Sequence, residues 1–142
     1  MRPEWQAAVK AGDVETLERL LAAGHDIDAR DEHGQTALMV AAREGRTAVV
    51  RFLAGRGADL NHTAKFHLTA LMLAVINGRA AIVRALVDAG ADLTVRGTGA
   101  PGFHDKTALD LAVVQVRDEA VAPQLDEIAR IIQAAQAKAG PA

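Results

Sequence analysis

A spacing of 33 residues recurs along the chain and limits its fold more than any other feature. Gly12, Gly45 and Gly78 keep that step, and so do Gly24, Gly57 and Gly90. The apolar positions follow it too: Leu38 with Leu71, Val50 with Val83, and Leu53 with Leu86. A fixed period of this length marks a stack of similar supersecondary units. Each is too small to bury its apolar face alone, and each completes the core of its neighbour.

Within a unit the pattern reads as two short helices. Pro3 suits the first position of a helix, where its missing N–H costs nothing. Val14, Leu17, Leu20 and Leu21 then form an apolar stripe at helical spacing, closed by Ala23-Gly24. Thr36 and Thr69 each precede an Ala-Leu pair and can cap orphan backbone N–H groups. Small residues at Ala41, Ala42 and Ala74 allow helices to approach closely. Arg51 and Arg84 are expected on the solvent side of the second helices. Trp5 takes the leucine position of the first unit and is expected to cover the end of the core.

The stretches Asp31-Glu32-His33-Gly34-Gln35-Thr36-Ala37-Leu38, Ala41-Ala42, Gly45 and Gly57-Ala58-Asp59-Leu60-Asn61 resemble the ankyrin repeat. The resemblance is strong over residues 31–96 and weaker at both ends, and the richness in Ala, Gly and Arg is similar to that of small bacterial ankyrin proteins. It implies an all-α repeat solenoid of helix-turn-helix units with short projecting β-hairpin loops. A single domain over residues 1–142 is expected, with units at approximately 3–30, 31–63, 64–96 and 97–138. In the family pattern a proline follows the capping threonine, whereas Ala37, Ala70 and Ala108 stand there in this chain.

The fourth unit departs from the period. Thr69 and Thr107 are 38 residues apart, and the excess lies in Gly97-Thr98-Gly99-Ala100-Pro101-Gly102. A further insertion falls between its helices, around Asp118, Glu119 and Pro123. The last helix is expected from about Pro123 to Lys138, with Ile128, Ile131 and Ile132 facing inward.

Composition narrows the chemistry. The chain has no cysteine and no tyrosine, and serine is absent as well. Disulfides, thiolate metal sites and the usual acyl-transfer nucleophiles are therefore excluded, and the expectation is a non-enzymatic protein without cofactors. A reading in which Asp110, His104 and Asp105 form a catalytic group is the weakest of those considered. Net charge is −2 with interspersed signs, so no basic face suits a phosphate backbone. No apolar run approaches membrane-spanning length, and no signal-peptide core is present. The expectation is a cytoplasmic protein. Charged residues at both ends (Arg2, Lys10, Glu15 and Glu18; Asp126, Glu127 and Arg130) suggest a monomer.

By the resemblance, inner helices and hairpins form a concave face that binds another protein. The register puts Glu32, His33, Gln35, Arg43 and Glu44 of the second unit on it. The third unit contributes Lys65, Phe66, Leu68, Ile76 and Asn77. The fourth contributes Phe103, His104, Lys106, Val114 and Gln115. Phe66, Ile76 and Phe103 stand out as candidate apolar anchors, against a competing reading in which both rings pack locally.

An alternative is a module binding a metal or small anion. It would use the hairpin-tip histidines His33, His62, His67 and His104 together with the loop from Gly97 to Gly102. That loop matches GxGxxG, but nothing around it reads as a nucleotide-binding βαβ unit. It is expected to be mobile and dispensable. His67 occupies the turn position of Gly34, so an unusual backbone angle or a different turn is expected there. Met39, Met72 and Asp110, one residue after each Thr-Ala-Leu triplet, are expected to pack between repeats.

Overall fold

The computed structural model describes residues 1–99, 101–114 and 122–139. Four helix pairs follow one another: α1 (Pro3–Ala11) with α2 (Val14–Ala22), α3 (Ala37–Glu44) with α4 (Thr47–Gly55), α5 (Ala70–Ile76) with α6 (Ala80–Asp88), and α7 (Ala108–Val114) with α8 (Ala122–Ala139). The first helices stack in one row, α1 on α3 on α5 on α7, and the second helices stack in another, α2 to α8.

The 33-residue columns of the sequence become columns of the core. Leu17, Val50 and Val83 are buried at equivalent places, as are Leu20, Leu53 and Leu86. Ala8, Ala41, Ala74 and Ala112 form a buried column of small side chains where first helices meet. Trp5 is fully buried in the first unit and stacks on His25, with ring centroids 4.4 Å apart and planes 15° from parallel. On α8, Leu125, Ile128, Ile131 and Ile132 all turn inward.

Caps explain where the first helices begin. The Thr36 hydroxyl accepts from the Met39 N–H at 3.4 Å, and Thr69 accepts from Met72 at 3.2 Å. In the fourth unit the Asp110 N–H donates to the Thr107 hydroxyl at 3.2 Å, while the Thr107 N–H donates to the Asp110 carboxylate at 3.0 Å. This is a reciprocal capping box, in which each residue's side-chain oxygen accepts the other's orphan backbone N–H. Asp110 is thus a cap and not the inter-repeat filler its register with Met39 and Met72 suggested. A short carboxylate at the third helical position reaches back where a methionine cannot.

The projecting segments between pairs differ from β-hairpins. They are called finger 1 (residues 23–36), finger 2 (56–69) and finger 3 (89–107). Among the described residues their strand-like pairing is limited to isolated bridges, antiparallel between Arg30 and Thr36 and parallel between Gly97 and His104, and finger 2 carries a single 3-10 turn over Lys65–His67. Several other backbone donors go to side chains. The Asp31 carboxylate accepts from the N–H groups of His33 and Gln35, both at 2.9 Å. Asp28 accepts the Asp59 N–H of the next finger at 2.9 Å, and Asn61, one period later, accepts the Asp92 N–H at 2.8 Å. Finger-to-finger bonds thus add to the few backbone bonds within each finger, such as the Ala64 N–H to the Leu68 carbonyl at 3.2 Å.

Candidate functional site

The residues expected on the concave face come from finger tips and from the ends of the first helices, and they do not form one uniform surface. In the second unit Glu32 and His33 are exposed at the tip of finger 1, 3.7 Å apart. Arg43, at the end of α3, donates to the Gln35 amide oxygen at 2.9 Å and lies 3.7 Å from the Glu44 carboxylate. Glu32, His33 and Arg43 also line a cleft of about 220 Å³ whose floor is Val9, Ala37 and Val40. Gln6 and Lys10 of α1 complete its wall. Neither was among the expected site residues, although Lys10, Arg43 and Ile76 share the 33-residue register that could have found Lys10.

The third unit is reshaped. Leu68 is 6 % exposed and belongs to the core, which corrects its assignment to the surface. Its place after the finger turn directs it into the core, where an apolar side chain is removed from water. Asn77 is exposed, and its amide donates to the Leu73 carbonyl at 2.8 Å, tying it to the end of its own helix. Ile76 is half-buried against the core. In the fourth unit His104 is exposed and Lys106 half-buried. Val114 ends α7, and Gln115 lies outside the described residues.

Phe66 and Phe103 come together. Their ring centroids are 5.5 Å apart with planes tilted by 39°, and both rings are half-buried against the core. The Lys65 ammonium lies 4.9 Å from the Phe66 ring centroid. Both anchor and packing readings of the rings thus find a physical basis, since each ring covers the other and neither is fully enclosed.

The backbone beneath them is strained. His67 has φ 57, the unusual angle expected where a glycine stood one repeat earlier, and Phe66 before it has φ 61. Asp105 on finger 3 shares this left-handed conformation at φ 57. Such positions cost of order 1–3 kcal/mol each for ordinary side chains and persist only where their surroundings over-determine them. Here the Thr98 N–H donates to the Phe66 carbonyl at 2.8 Å, and the His67 imidazole donates from Nδ1 to the Arg96 carbonyl at 2.9 Å.

The Thr98 bond ties the start of the glycine loop to finger 2, while Ala100 within that loop lies outside the described residues. Gly97 donates to the Lys106 carbonyl and accepts from the Asp105 N–H, both at 2.9 Å. A Cβ on Gly97 would overlap the Phe103 carbonyl oxygen and lie 3.1 Å from the Phe103 carbonyl carbon. A Cβ on Gly99 would lie 3.0 Å from the Phe66 ring. Gly97 is therefore demanded by close approach to backbone, and Gly99 by its positive φ of 80 with the Phe66 ring close by. The loop does not open a helix either, because α7 starts only at Ala108.

The histidines do not assemble as a metal row. His62 donates from Nε2 to the Gly34 carbonyl at 3.0 Å, His67 is used as described, and His25 donates from Nδ1 to the Asp26 carbonyl at 2.9 Å. Among the described residues no three His, Asp or Glu side chains converge as a metal site. Three carboxyls are held below the ordinary carboxylate value by local hydrogen bonds. Thr16 does this to Asp13 and Thr94 to Asp92; for Asp110 the Thr107 N–H is the main cause, with Arg96 and Lys106 adding attraction.

Among the described residues no helix is long and apolar enough to cross a membrane. A stretch of this chain is 47 % identical over 47 residues to the 60 kDa lysophospholipase of Mus musculus, a match spanning 33 % of this chain and 8 % of that protein. The sequence model for ankyrin repeats (3 copies) matches residues 5–97. With the stacked helix pairs and the 33-residue columns of the core, that match settles the family: the chain belongs to the ankyrin-repeat proteins.

Proposed function

We propose that this chain is a non-catalytic binding module that grips a partner protein on the face formed by its fingers and first helices. Ankyrin repeats are generally protein–protein interaction modules. The observation that carries the reading is the finger-to-finger bonding, from Asp59 to Asp28 and from Asp92 to Asn61. It links neighbouring fingers to one another, which supports reading the face as preformed, and a preformed surface loses little conformational entropy on docking. In this reading Glu32, His33, Gln35, Arg43 and Glu44 form a polar end beside the cleft. Lys65, Phe66, Ile76, Asn77, Phe103, His104 and Lys106 form a more apolar end. The lysophospholipase match covers too little of that enzyme to bring its activity here.

Residues 1–142 act in this proposal as one domain and as a monomer, so sedimentation should be independent of concentration. The test of the binding face is affinity capture from the native cell lysate with wild-type and variant chains in parallel. Arg43→Glu and Ile76→Ala should lose a captured protein that Arg51→Ala and Arg84→Ala retain. Truncating an interface anchor typically costs about 2 kcal/mol or more, roughly thirtyfold in affinity. Loss on the outer-face variants alone would refute the assignment.

A further inference from the structure

Fingers 2 and 3 put two aromatic rings in contact, with Lys65 over one of them and Arg96 and Lys106 on the same pair of fingers. The rings of Phe66 and Phe103 lie 5.5 Å apart and half-buried, so each keeps surface that an incoming apolar group could cover. The strain at Phe66 and His67 is retained by bonds from finger 3, and strain held in this way gathers at ligand clamps and switch regions. It fixes where the two rings stand before any partner arrives.

The cations are not equally free. Arg96 donates to the Asp105 carbonyl at 2.9 Å and lies 3.5 Å from its carboxylate. Asp110 turns an oxygen to the Thr107 N–H at 3.0 Å. Among the described residues neither Lys65 nor Lys106 makes a direct salt bridge, although Lys106 is near enough to attract the Asp110 carboxylate. Lys65 is exposed beside the Phe66 ring, and Lys106 is half-buried three residues after Phe103.

We infer that this patch receives an acidic peptide segment of a partner protein. One aromatic or large aliphatic side chain of the segment covers the Phe66–Phe103 pair, and flanking Asp or Glu carboxylates meet Lys65 and Lys106. The inference rests on the finger-face reading above and narrows it to one end and one chemistry. Complementary charge gives such a docking its orientation and speed, while the ring contact supplies burial. Single-stranded nucleic acid also combines stacked rings with cations. It is disfavoured here because a phosphate backbone carries charge at every nucleotide and would run it past Asp26, Asp28, Asp31 and Glu32 of neighbouring finger 1, whereas a short peptide can confine its carboxylates to Lys65 and Lys106.

The test is selection from a displayed random dodecapeptide library against the full chain, followed by titration of the selected peptides. Enriched sequences should carry Asp or Glu within a few residues of an aromatic or large aliphatic one. Exposed ion pairs are individually weak, so Lys65→Glu/Lys106→Glu should lower affinity about tenfold by replacing two attractions with repulsions. Phe103→Leu, which keeps most of the packing, should weaken binding less than Phe103→Ala, with melting curves recorded for each variant.

Selected peptides without acidic enrichment, or indifferent to the double reversal, overturn the inference. If those peptides still weaken on Arg43→Glu or Ile76→Ala, the finger-face reading stands without it. If they are lost only on Arg84→Glu, both fail. Tighter binding of a dodecathymidylate than of any selected peptide, lost on the same lysine reversals, would also overturn it in favour of nucleic acid. So would recovery of no binding peptide at all.

Discussion

Gly97→Ala is expected to damage the fourth unit far more than Gly102→Ala, although both glycines belong to the same loop. A Cβ at Gly97 overlaps the Phe103 carbonyl oxygen, and ordinary van der Waals contact at 3.4–4 Å requires that carbonyl to retreat. The Phe103 carbonyl accepts the Lys106 N–H at 3.1 Å, and the Phe103 ring lies on Phe66, so retreat disturbs both. Overpacking of this kind costs about 1–3 kcal/mol, and one weakened hydrogen bond adds about 1 kcal/mol. A total of about 2–4 kcal/mol corresponds to a drop in melting temperature of roughly 4–16 °C for a chain of this size. Gly102 has open space around its missing Cβ and no positive φ, so alanine there should be neutral or slightly stabilising, within about 1 kcal/mol. Circular dichroism melts at 222 nm compare the two directly. Trp5, the sole tryptophan, sits in the first unit, so its fluorescence separates loss at the damaged end from collapse of the whole stack. Equal melting temperatures for the two variants would refute the claim that close approach, and not loop flexibility, placed glycine at 97.

Deleting residues 98–102, which restores the 33-residue period, removes the Thr98 bond to Phe66 along with Gly99; it should therefore destabilise by about 1–3 kcal/mol. An unchanged melt would return the loop to a passive insertion. Leu71→Ala and Leu86→Ala, both fully buried, should each cost about 2–5 kcal/mol, whereas exposed Arg51→Ala and Arg84→Ala should stay within about 0.5 kcal/mol. Urea titration measures all four, and comparable losses would contradict the division into inner and outer faces. Asp110→Ala should cost about 1 kcal/mol through loss of the capping box. Because Asp13, Asp92 and Asp110 have lowered pKa values when folded, they bind fewer protons than in the unfolded chain. Their contribution is complete above the ordinary value of 3.8 and is lost as pH falls through the lowered values. Melts between pH 7 and pH 2 should show Asp110→Ala converging toward wild type at the acid end; a constant gap would refute the linkage.

Periodicity was enough to determine the architecture. A helix needs only its own stripe and its cap, and a stack repeats one interface, so Leu17, Val50 and Val83 announce a shared environment from spacing alone. Thr36 and Thr69 as caps, Trp5 as a core residue and the inward face of α8 were legible for the same reason: each depends on neighbours three to four residues away or one period away. The insertion in the fourth unit broke that register, and there the sequence lost its power. Whether Gly97 and Gly99 meant flexibility or tight packing depended on Phe103 and Phe66, which reach them across two fingers. Leu68 read as a surface residue by register, and only the path of the strained turn before it turns it into the core. Lys10 shares the register of Arg43, but that it faces Glu32 and His33 across one cleft follows only from α1 packing on α3. Repeating contacts are encoded locally and can be counted along the chain, whereas the contacts that make one finger unlike another exist only once the stack has closed.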